Sequence, residues 1–279
     1  MRKKKESLRA NILESLKNRK KSHHKPAGKP DRPEGTLIAS YNVHKCVGAD
    51  RRFDPERTSR VIHEIDADVI GLQEADTRFG ERTGILDLRR LERETGLIPV
   101  PVAGVSKAHG WHGNVVLFKQ GTVRDVHQIS LPGLEPRGAL IAELELARGG
   151  SLRIIAAHLG LLHRSRAQQT RLIVDLMSDG SETPTILLGD LNEWRLGDRS
   201  SLSTFQNAFG PLPPAVPSFP STLPLLALDR IMANRRGMIS AVQVHDSPLA
   251  RIASDHLPIK AVVSLETLDS ATIMHSRTA

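Results

Sequence analysis

The sequence lacks both the cysteine pairs that stabilise small secreted proteins and the long apolar segments that cross membranes. Among 279 residues there is one cysteine, Cys46, so no disulfide can form within the chain. No apolar run approaches the roughly 20 residues that a membrane-spanning helix needs, and the N-terminus lacks the apolar segment of a secretion signal. Aromatic residues make up only 3% of the chain. These absences favour a protein of the reducing cytoplasm.

The formal net charge of +8 is concentrated at the N-terminus. Residues 1–34 contain twelve Lys and Arg against four acidic residues, and the rest of the chain has equal numbers of both signs. The composition predicts a basic, disordered tail at 1–34, which is either simply solvated or contacts nucleic acid or an anionic membrane surface. The segment 35–267 is long enough for one folded domain, and 268–279 is expected to be a frayed end.

Strand and helix patterns are mixed along the segment 35–267. Short apolar runs predict strands, and apolar residues spaced three to four apart predict helices. Residues 197–224 are rich in Pro, Ser and Gly, which indicates a loop. The predicted strands are 37–43, 68–74, 115–118, 139–146, 152–158, 185–189, 227–232, 239–244 and 258–263; the predicted helices are one starting at Pro55, one at 86–95 and one at 165–177.

Polar or ionisable residues stand at the ends of these strands. Asp190 and Asn192 come directly after a buried apolar strand, and residues two apart in a strand face the same way. Taken alone, each such residue can be explained as a hydrogen-bonded buried group. If the strand ends converge, three or more carboxylates meet, and their repulsion requires a cation. The other members of the set are Asn42, Glu74, His158, Asp229 and the Asp255-His256 pair.

The types of donor atom indicate which cation would bind. Carboxylate and carboxamide oxygens, without a thiolate or a paired-histidine motif, suit Mg²⁺ or Mn²⁺ better than Zn²⁺. Mg²⁺ keeps several waters and prefers one or two carboxylates together with substrate phosphate. The sequence therefore predicts phosphoryl transfer at a Mg²⁺ site, with Mn²⁺ as the alternative ion.

Six short motifs carry these residues in a fixed order. They are Ser40-Tyr-Asn42, Leu72-Gln-Glu74, His158-Leu159, Gly189-Asp-Leu-Asn192, Leu228-Asp229 and Ser254-Asp-His256. Together they resemble the endonuclease/exonuclease/phosphatase superfamily of deoxyribonuclease-I-like, metal-dependent hydrolases. The resemblance implies an α/β (α+β) fold, a four-layer α/β/β/α sandwich of two packed mixed sheets flanked by helices. It places the site at one edge of the sheets and makes 35–267 the catalytic domain.

The resemblance also implies where metal and water bind. Glu74, with Asn42 nearby, is similar to the family's main metal site, and Asp255 is close enough to contribute to the metal or its waters. Asp190 resembles the group that orients or deprotonates the attacking water. Asn192 would hold that group and the phosphate.

Two histidines complete the implied catalytic set. His256 would face the phosphoryl group, and Asp229 resembles the carboxylate that fixes its tautomer and favours its charged form. His158 matches the position where deoxyribonuclease-like and phosphatase members have histidine and apurinic endonucleases have tyrosine. Abasic-site repair is therefore disfavoured.

Four further residues are candidate substrate contacts. Arg137 can bind a phosphate through two donors, although capping a strand edge is an equal alternative. His44 and Lys45 follow Asn42 closely enough to line the same mouth. Asn114 follows Gly113 and would order the site or contact the substrate.

The implied activity is Mg²⁺-dependent hydrolysis of phosphodiesters by in-line attack of water, on nucleic acid or a phospholipid headgroup. The neutral domain and few aromatics disfavour a nuclease that tracks a duplex. One alternative is a phosphomonoesterase on a small phosphorylated metabolite, and another is a non-catalytic polyanion-binding module that uses the tail. We expect a cytoplasmic monomer that associates with membranes only peripherally, through the basic tail.

Overall fold

Two mixed β-sheets pack face to face at the centre of the molecule, with helices on both outer faces. The computed structural model describes residues 35–264 apart from 79, 105–106, 148–149, 178–182 and 196. The tail predicted at 1–34 and the frayed end predicted at 268–279 lie outside the described residues. The four-layer α/β/β/α arrangement confirms the fold that the motifs imply.

Eleven strands and five α-helices occur in the described ranges. The strands are β1 (Thr36–Asn42), β2 (Val69–Gln73), β3 (Ile98–Pro99), β4 (Val115–Phe118), β5 (Gly121–Leu131), β6 (Arg137–Leu146), β7 (Gly150–His158), β8 (Thr185–Asp190), β9 (Asp229–Ala233), β10 (Gln243–Val244) and β11 (Ile259–Val263). The helices are α1 (Pro55–Ile65), α2 (Leu88–Thr95), α3 (His163–Met177), α4 (Gln206–Phe209) and α5 (Ala250–Ala253). Short 3-10 helices span His44–Cys46, Gly197–Arg199 and Ser201–Phe205.

The strand order makes two sheets of similar build. The first sheet has the order β10-β11-β1-β2-β4-β3, and the second has the order β5-β6-β7-β8-β9. Each contains one parallel pair, β1 with β2 and β7 with β8, and its other pairs are antiparallel. In a parallel pair the carboxyl ends of both strands lie at the same edge of the sheet. The polar residues at the ends of β1 and β2, and of β7 and β8, are therefore at one edge of each sheet.

Aliphatic side chains fill the space between the sheets. Ile38 of the first sheet and Leu140, Ile186 and Leu188 of the second are fully buried there. On the outer faces, Ile62 and its neighbours on α1 cover the first sheet, while α3 and the 3-10 helix at 201–205 cover the second. Interdigitated packing of this kind fixes the two sheets relative to each other, and so fixes the edge where their polar residues meet.

The first long helix starts where the sequence predicts. Asp54 caps α1 by accepting a hydrogen bond from the backbone N–H of Arg57 at 2.9 Å, and Pro55 occupies the first turn, where its missing N–H costs nothing. The helix ends at Asp66 in the left-handed conformation. None of the helices in the described ranges has the length and hydropathy that crossing a bilayer requires.

Two strand predictions differ from the structure. The predicted strand 239–244 is reduced to β10, with Ile239 forming only an isolated bridge to Val263. The eleven-residue strand β5 was not predicted, because it is an edge strand whose side chains are mostly exposed or half-buried and polar. It is held by its pairing with β6 and by a few apolar side chains, among them Val126 and Leu131, that pack on the core.

Candidate active site

The predicted site residues meet at one edge of the sandwich. Strand pairing places His158 at the end of β7 opposite Asp190 at the end of β8, and Asp190 opposite Asp229 at the start of β9. Asn42, at the end of β1 in the other sheet, donates a hydrogen bond from Nδ2 to Asp190 Oδ2 at 2.9 Å. The edge therefore joins residues of both sheets around one buried carboxylate.

Asp190 has a different set of partners for each oxygen. Oδ2 lies 3.5 Å from His158 Nε2 and 3.7 Å from His256 Nε2, in addition to the Asn42 amide. Oδ1 accepts the backbone N–H of Asn192 at 3.0 Å. One carboxylate oxygen thus faces two imidazoles and a carboxamide, while the other holds the turn that follows the strand.

His256 is held by a carboxylate on the side away from Asp190. Its Nδ1 lies 2.8 Å from Asp229 Oδ2, which also accepts the Ser218 hydroxyl. Burial lowers the pKa of His256, but the carboxylates of Asp229 and Asp190 raise it by more, so that the pKa is about 10. His256 is therefore a charged donor at neutral pH. The ring of Phe219 packs against it with centroids 4.9 Å apart.

His158, unlike His256, is neutral near pH 7. Burial lowers its pKa to about 4, and the attraction of Asp190 only partly offsets that effect. Arg137 Nη1 lies 2.9 Å from its Nδ1 and 2.8 Å from its Nε2. Because a guanidinium can only donate, a neutral His158 accepts from Arg137 with its unprotonated ring nitrogen. Glu135 fixes Arg137 in turn, at 2.8 Å.

The two carboxylates predicted to bind metal lie beside the turn that follows Asn42. Lys45 Nζ is 3.0 Å from Glu74 Oε2, and His44 Nδ1 is 3.6 Å from Asp255 Oδ1. Burial raises the pKa of Glu74, but His158 and Lys45 together lower it more, to about 2. Since His158 is neutral near pH 7, the Lys45 ammonium is the partner that keeps Glu74 charged there.

Two amide side chains support the loops around the site. Asn192 Nδ2 donates to the carbonyl of Leu159 at 2.9 Å, which ties the turn after β8 to the turn after β7. Asn114 Nδ2 donates to Gly138 O at 2.9 Å, and its buried Oδ1 has no partner among the described residues. The substrate-contact roles of Asn114, Arg137, His44 and Lys45 stay predictions.

The backbone at the site is in an unusual conformation. His44, Lys45 and Cys46 have φ values of 44°, 56° and 57°, and Glu74 and Asn192 have 54° and 52°. Non-glycine residues in this region cost about 1–3 kcal/mol each, and they persist where surrounding structure enforces them, often at functional sites. Here the hydrogen bond from Lys45 N to Glu74 O, at 3.1 Å, joins two of the strained turns.

The sequence from 39 to 256 matches the model of the endonuclease/exonuclease/phosphatase family. The chain belongs to this family. The matched segment runs from β1 to His256 and so includes every site residue described above. No curated protein matches the sequence.

Solved structures of the family share the fold. A family protein from Beutenbergia cavernae has a TM-score of 0.61 at 21% identity, covering 83% of this chain and 72% of its own. The mannosyl-6-phosphatase of Bacteroides thetaiotaomicron has a TM-score of 0.62 at 15% identity, covering 81% and 98%. D. rerio TDP2, complexed with a single-strand DNA product, has a TM-score of 0.58 at 14% identity, covering 82% and 98%.

Family membership makes the chain a phosphate-ester hydrolase and connects it to divalent-metal chemistry. The donor types fit such an ion, because Glu74, Asp255 and Asn42 offer oxygens. In this structure Lys45 lies on the carboxylate of Glu74 and His44 on that of Asp255. Asp190, Asp229 and His256 also place one ligand atom each within 4.8 Å of one another. In that group, however, the Asp229–His256 hydrogen bond already occupies one nitrogen and one oxygen.

Several residues at this family site were not found from the sequence. Ser218 and Phe219 lie in the long loop between α4 and β9 and contact the Asp229–His256 pair. Arg78 and Arg82 line a small cleft beside Glu74, together with Asp76, His112, Pro136, Arg137 and His158. Loop residues of this kind show no periodic pattern, so only their proximity in space identifies them.

Proposed function

We propose that the chain is a Mg²⁺-dependent phosphodiesterase in which Asp190 positions and deprotonates the attacking water. The observation that carries this proposal is the placement of Asp190 Oδ2. This buried carboxylate oxygen lies within 3.7 Å of two histidines, of which His256 is charged and His158 is neutral. A structural carboxylate would need one neutralising partner. Asp190 Oδ2 instead faces His158, His256 and the Asn42 amide together, which holds the ionised carboxylate in the fixed direction that positioning a water requires.

The two histidines have different tasks in this mechanism. His256 donates from Nε2 to a nonbridging phosphoryl oxygen, where negative charge grows during in-line attack. Asp229 holds the opposite nitrogen and keeps the ring charged. Neutral His158 packs against Asp190 and accepts from Arg137, which keeps both side chains at the phosphate site.

Glu74, Asn42 and Asp255 would hold the metal. A bound Mg²⁺ would supply charge stabilisation for the phosphoryl oxygens and the leaving oxygen. Asn42 is shared, since its Nδ2 holds Asp190 while its Oδ1 accepts the backbone N–H of His44 at 3.0 Å. Any ion at this position therefore sits beside the group that positions the water.

Asp190→Asn tests the proposal. Hydrolysis of bis-p-nitrophenyl phosphate should fall by about 10²–10³-fold or more, because the amide cannot accept the proton of the water. Asp125→Asn, an exposed carboxylate on β5, should keep wild-type activity. Chelator should abolish wild-type turnover, and Mg²⁺ should restore it. Near-normal turnover by Asp190→Asn, or turnover that survives chelation, would refute the mechanism.

A phosphomonoesterase is the second candidate. The small cleft beside Glu74 is the feature that bears on it, because Arg78, Arg82 and Arg137 line it and a terminal, doubly charged phosphate binds arginines. The carboxylates of Asp76 and Glu135 pair with these arginines, which leaves little excess positive charge. Faster release of inorganic phosphate from p-nitrophenyl phosphate than of p-nitrophenol from the diester would select the monoesterase.

The third candidate is a non-catalytic protein that binds polyanions through its basic tail, and a deletion experiment distinguishes it from the two hydrolases. It would require that deleting residues 1–34 abolishes function in cells while Asp190→Asn does not. We propose a cytoplasmic location for the enzyme, with the tail as its peripheral contact to anionic surfaces.

A further inference from the structure

Half of the large exposed apolar side chains lie at the edge of the second sheet that carries the active site. In the described part of the chain, four of the eight are in loops where β6 starts and where β7 and β8 end. Scattered exposed leucines need no explanation, but a group around one opening does. The eight are Phe53, Leu134, Leu161, Leu162, Leu176, Trp194, Leu223 and Ile252.

Four of these residues form what we call the apolar lip, on the side of the second sheet: Leu134, Leu161, Leu162 and Trp194. Leu134 is 86% exposed, Leu161 62% and Trp194 51%. They come from three different loops, before β6, after β7 and after β8. Because these three loops lie at one edge of the sheet, the four residues form a surface that their positions in the sequence do not reveal.

Buried polar contacts hold the three loops together. Glu135 accepts the backbone N–H of Leu161 at 2.7 Å, which joins the loop of Leu134 to the loop after β7. Buried Arg166 donates to the carbonyl of Leu161 at 2.6 Å and to Glu193 at 3.3 Å. Because Glu193 precedes Trp194, the same arginine fixes the third loop. The lip is therefore held in one arrangement.

The lip is connected directly to the catalytic groups. Glu135, beside Leu134, also holds Arg137, which contacts His158. Asn192, two residues before Trp194, is bonded to the carbonyl of Leu159. A surface that docks on the lip would thus lie at the mouth in which Asp190 and His158 sit.

Two arginines, one exposed and one half-buried, accompany the apolar residues. Arg164 is exposed, and the guanidinium of Arg195 lies 5.7 Å from the ring centroid of Trp194. Neither forms an ion pair within the described ranges, and the carboxylates of the lip, Glu135 and Glu193, are already engaged. Leucines and tryptophan with unpaired arginines are complementary to a phospholipid surface, where apolar groups enter the acyl boundary and cations meet phosphate.

We propose that the apolar lip docks on a phospholipid surface, so that the site receives a phosphodiester presented in a membrane. This inference rests on the proposed phosphodiesterase function and names its substrate class. Single-stranded nucleic acid is disfavoured as the occupant because bases bind by stacking on aromatic rings, and three of the four lip residues are leucines.

Replacing two lip leucines tests the inference in the full chain. In Leu134→Ser/Leu161→Ser, binding to vesicles of phosphatidylcholine and phosphatidylglycerol should weaken about tenfold or more, since two exposed apolar groups no longer leave water. Hydrolysis of vesicle phospholipid should fall in parallel, while hydrolysis of soluble bis-p-nitrophenyl phosphate stays within about twofold of wild type. Leu176→Ser, an exposed leucine away from the mouth, is the matched control and should change neither.

Vesicles of pure phosphatidylcholine distinguish binding by the lip from binding by the basic tail, because the tail has no electrostatic attraction to a surface without net charge. Trp194 emission should shift to the blue on these vesicles in the wild type, and less in the double variant. Absence of vesicle binding, or equal binding by the wild type and the double variant, overturns the inference. So does a double variant that loses binding to a single-stranded oligonucleotide but not to vesicles. If binding depends on the lip but no diester is hydrolysed, the docking surface stands and the proposed function fails.

Discussion

In the proposed mechanism Asp229 acts on the phosphate only through His256. Its Oδ2 lies 2.8 Å from His256 Nδ1, and the Ser218 hydroxyl fixes the same oxygen. Asp229→Asn keeps the shape of the side chain but removes the charge that stabilises the imidazolium. We expect kcat on a diester to fall about 100-fold, with KM and melting temperature nearly unchanged. Steady-state kinetics with thermal unfolding of the same preparation provides the measurement. A loss of stability that matches the loss of activity would make Asp229 merely structural.

Cys46 should be inert in the folded protein. Its side chain is fully buried, and burial raises the pKa of the thiol to about 11. Because the thiolate is the reacting form, almost none is present at pH 8, and the reagent cannot reach it. We expect Ellman's reagent to modify Cys46 only on the time scale of unfolding, and rapidly in guanidinium chloride. Fast modification of the native protein would show that the turn at 44–46 opens.

At this scale the sequence identified the residues whose chemistry is unusual for their position. Asp190 and His158 stood out because ionisable side chains end buried strands, and His256 because it precedes one. The structure brings a ring nitrogen of each histidine within 3.7 Å of Asp190. Glu135 gave no such signal. Its importance comes from contacts with Arg137 and Leu161, and nothing in a single loop residue encodes those partners.

Among the elements, β8 depends most on one glycine. Gly189 has a φ of +145°, and a Cβ there would lie 1.8 Å from the carbonyl oxygen of Ala157 on β7. Gly189→Ala must therefore separate β7 from β8 just before Asp190. We expect a loss of about 3 kcal/mol or more in the free energy of unfolding, measured by urea denaturation, and loss of activity.

Gly150→Ala is the control for that substitution. Gly150 also has positive φ, +69°, but no atom lies within 4 Å of the added Cβ. It should cost only about 1 kcal/mol and leave the activity intact. If both alanine variants behaved alike, backbone strain rather than the clash with Ala157 would explain the effect.

Most of the elements could be predicted because their burial is one-sided or complete. β1, β2 and β8 are apolar runs buried along nearly their whole length, and α1 has a polar cap and a proline at its start. β5 could not be predicted in the same way, since its apolar residues are interrupted by exposed polar ones and a register shift between Val123 and Asp125, and its position depends on pairing with β6. The two-sheet sandwich was implied by the resemblance, but the order of strands in the sheets comes only from the structure, because local patterns do not specify which strands pair.

For the whole molecule, the net charge is concentrated in one segment of the sequence. All of the net charge of +8 comes from residues 1–34. Deleting them should leave the melting temperature and hydrolysis of a soluble diester unchanged, but should abolish the salt-dependent part of DNA binding. Electrophoretic mobility shifts at increasing salt, with and without the tail, provide the test. Binding that persists in the truncated protein would place the DNA contact on the domain.

The hydrogen bond from the Ser254 hydroxyl to the carbonyl of Asn42, at 2.7 Å, spans 212 residues of sequence. The same loop delivers His256, and β11 directly after it pairs with β1. A polypeptide leaving the ribosome therefore carries Asn42, Glu74 and Asp190 long before it can hydrolyse anything. Until the last strand is released, the flank of β1 has no partner, and the nascent enzyme is both inactive and exposed to mispairing.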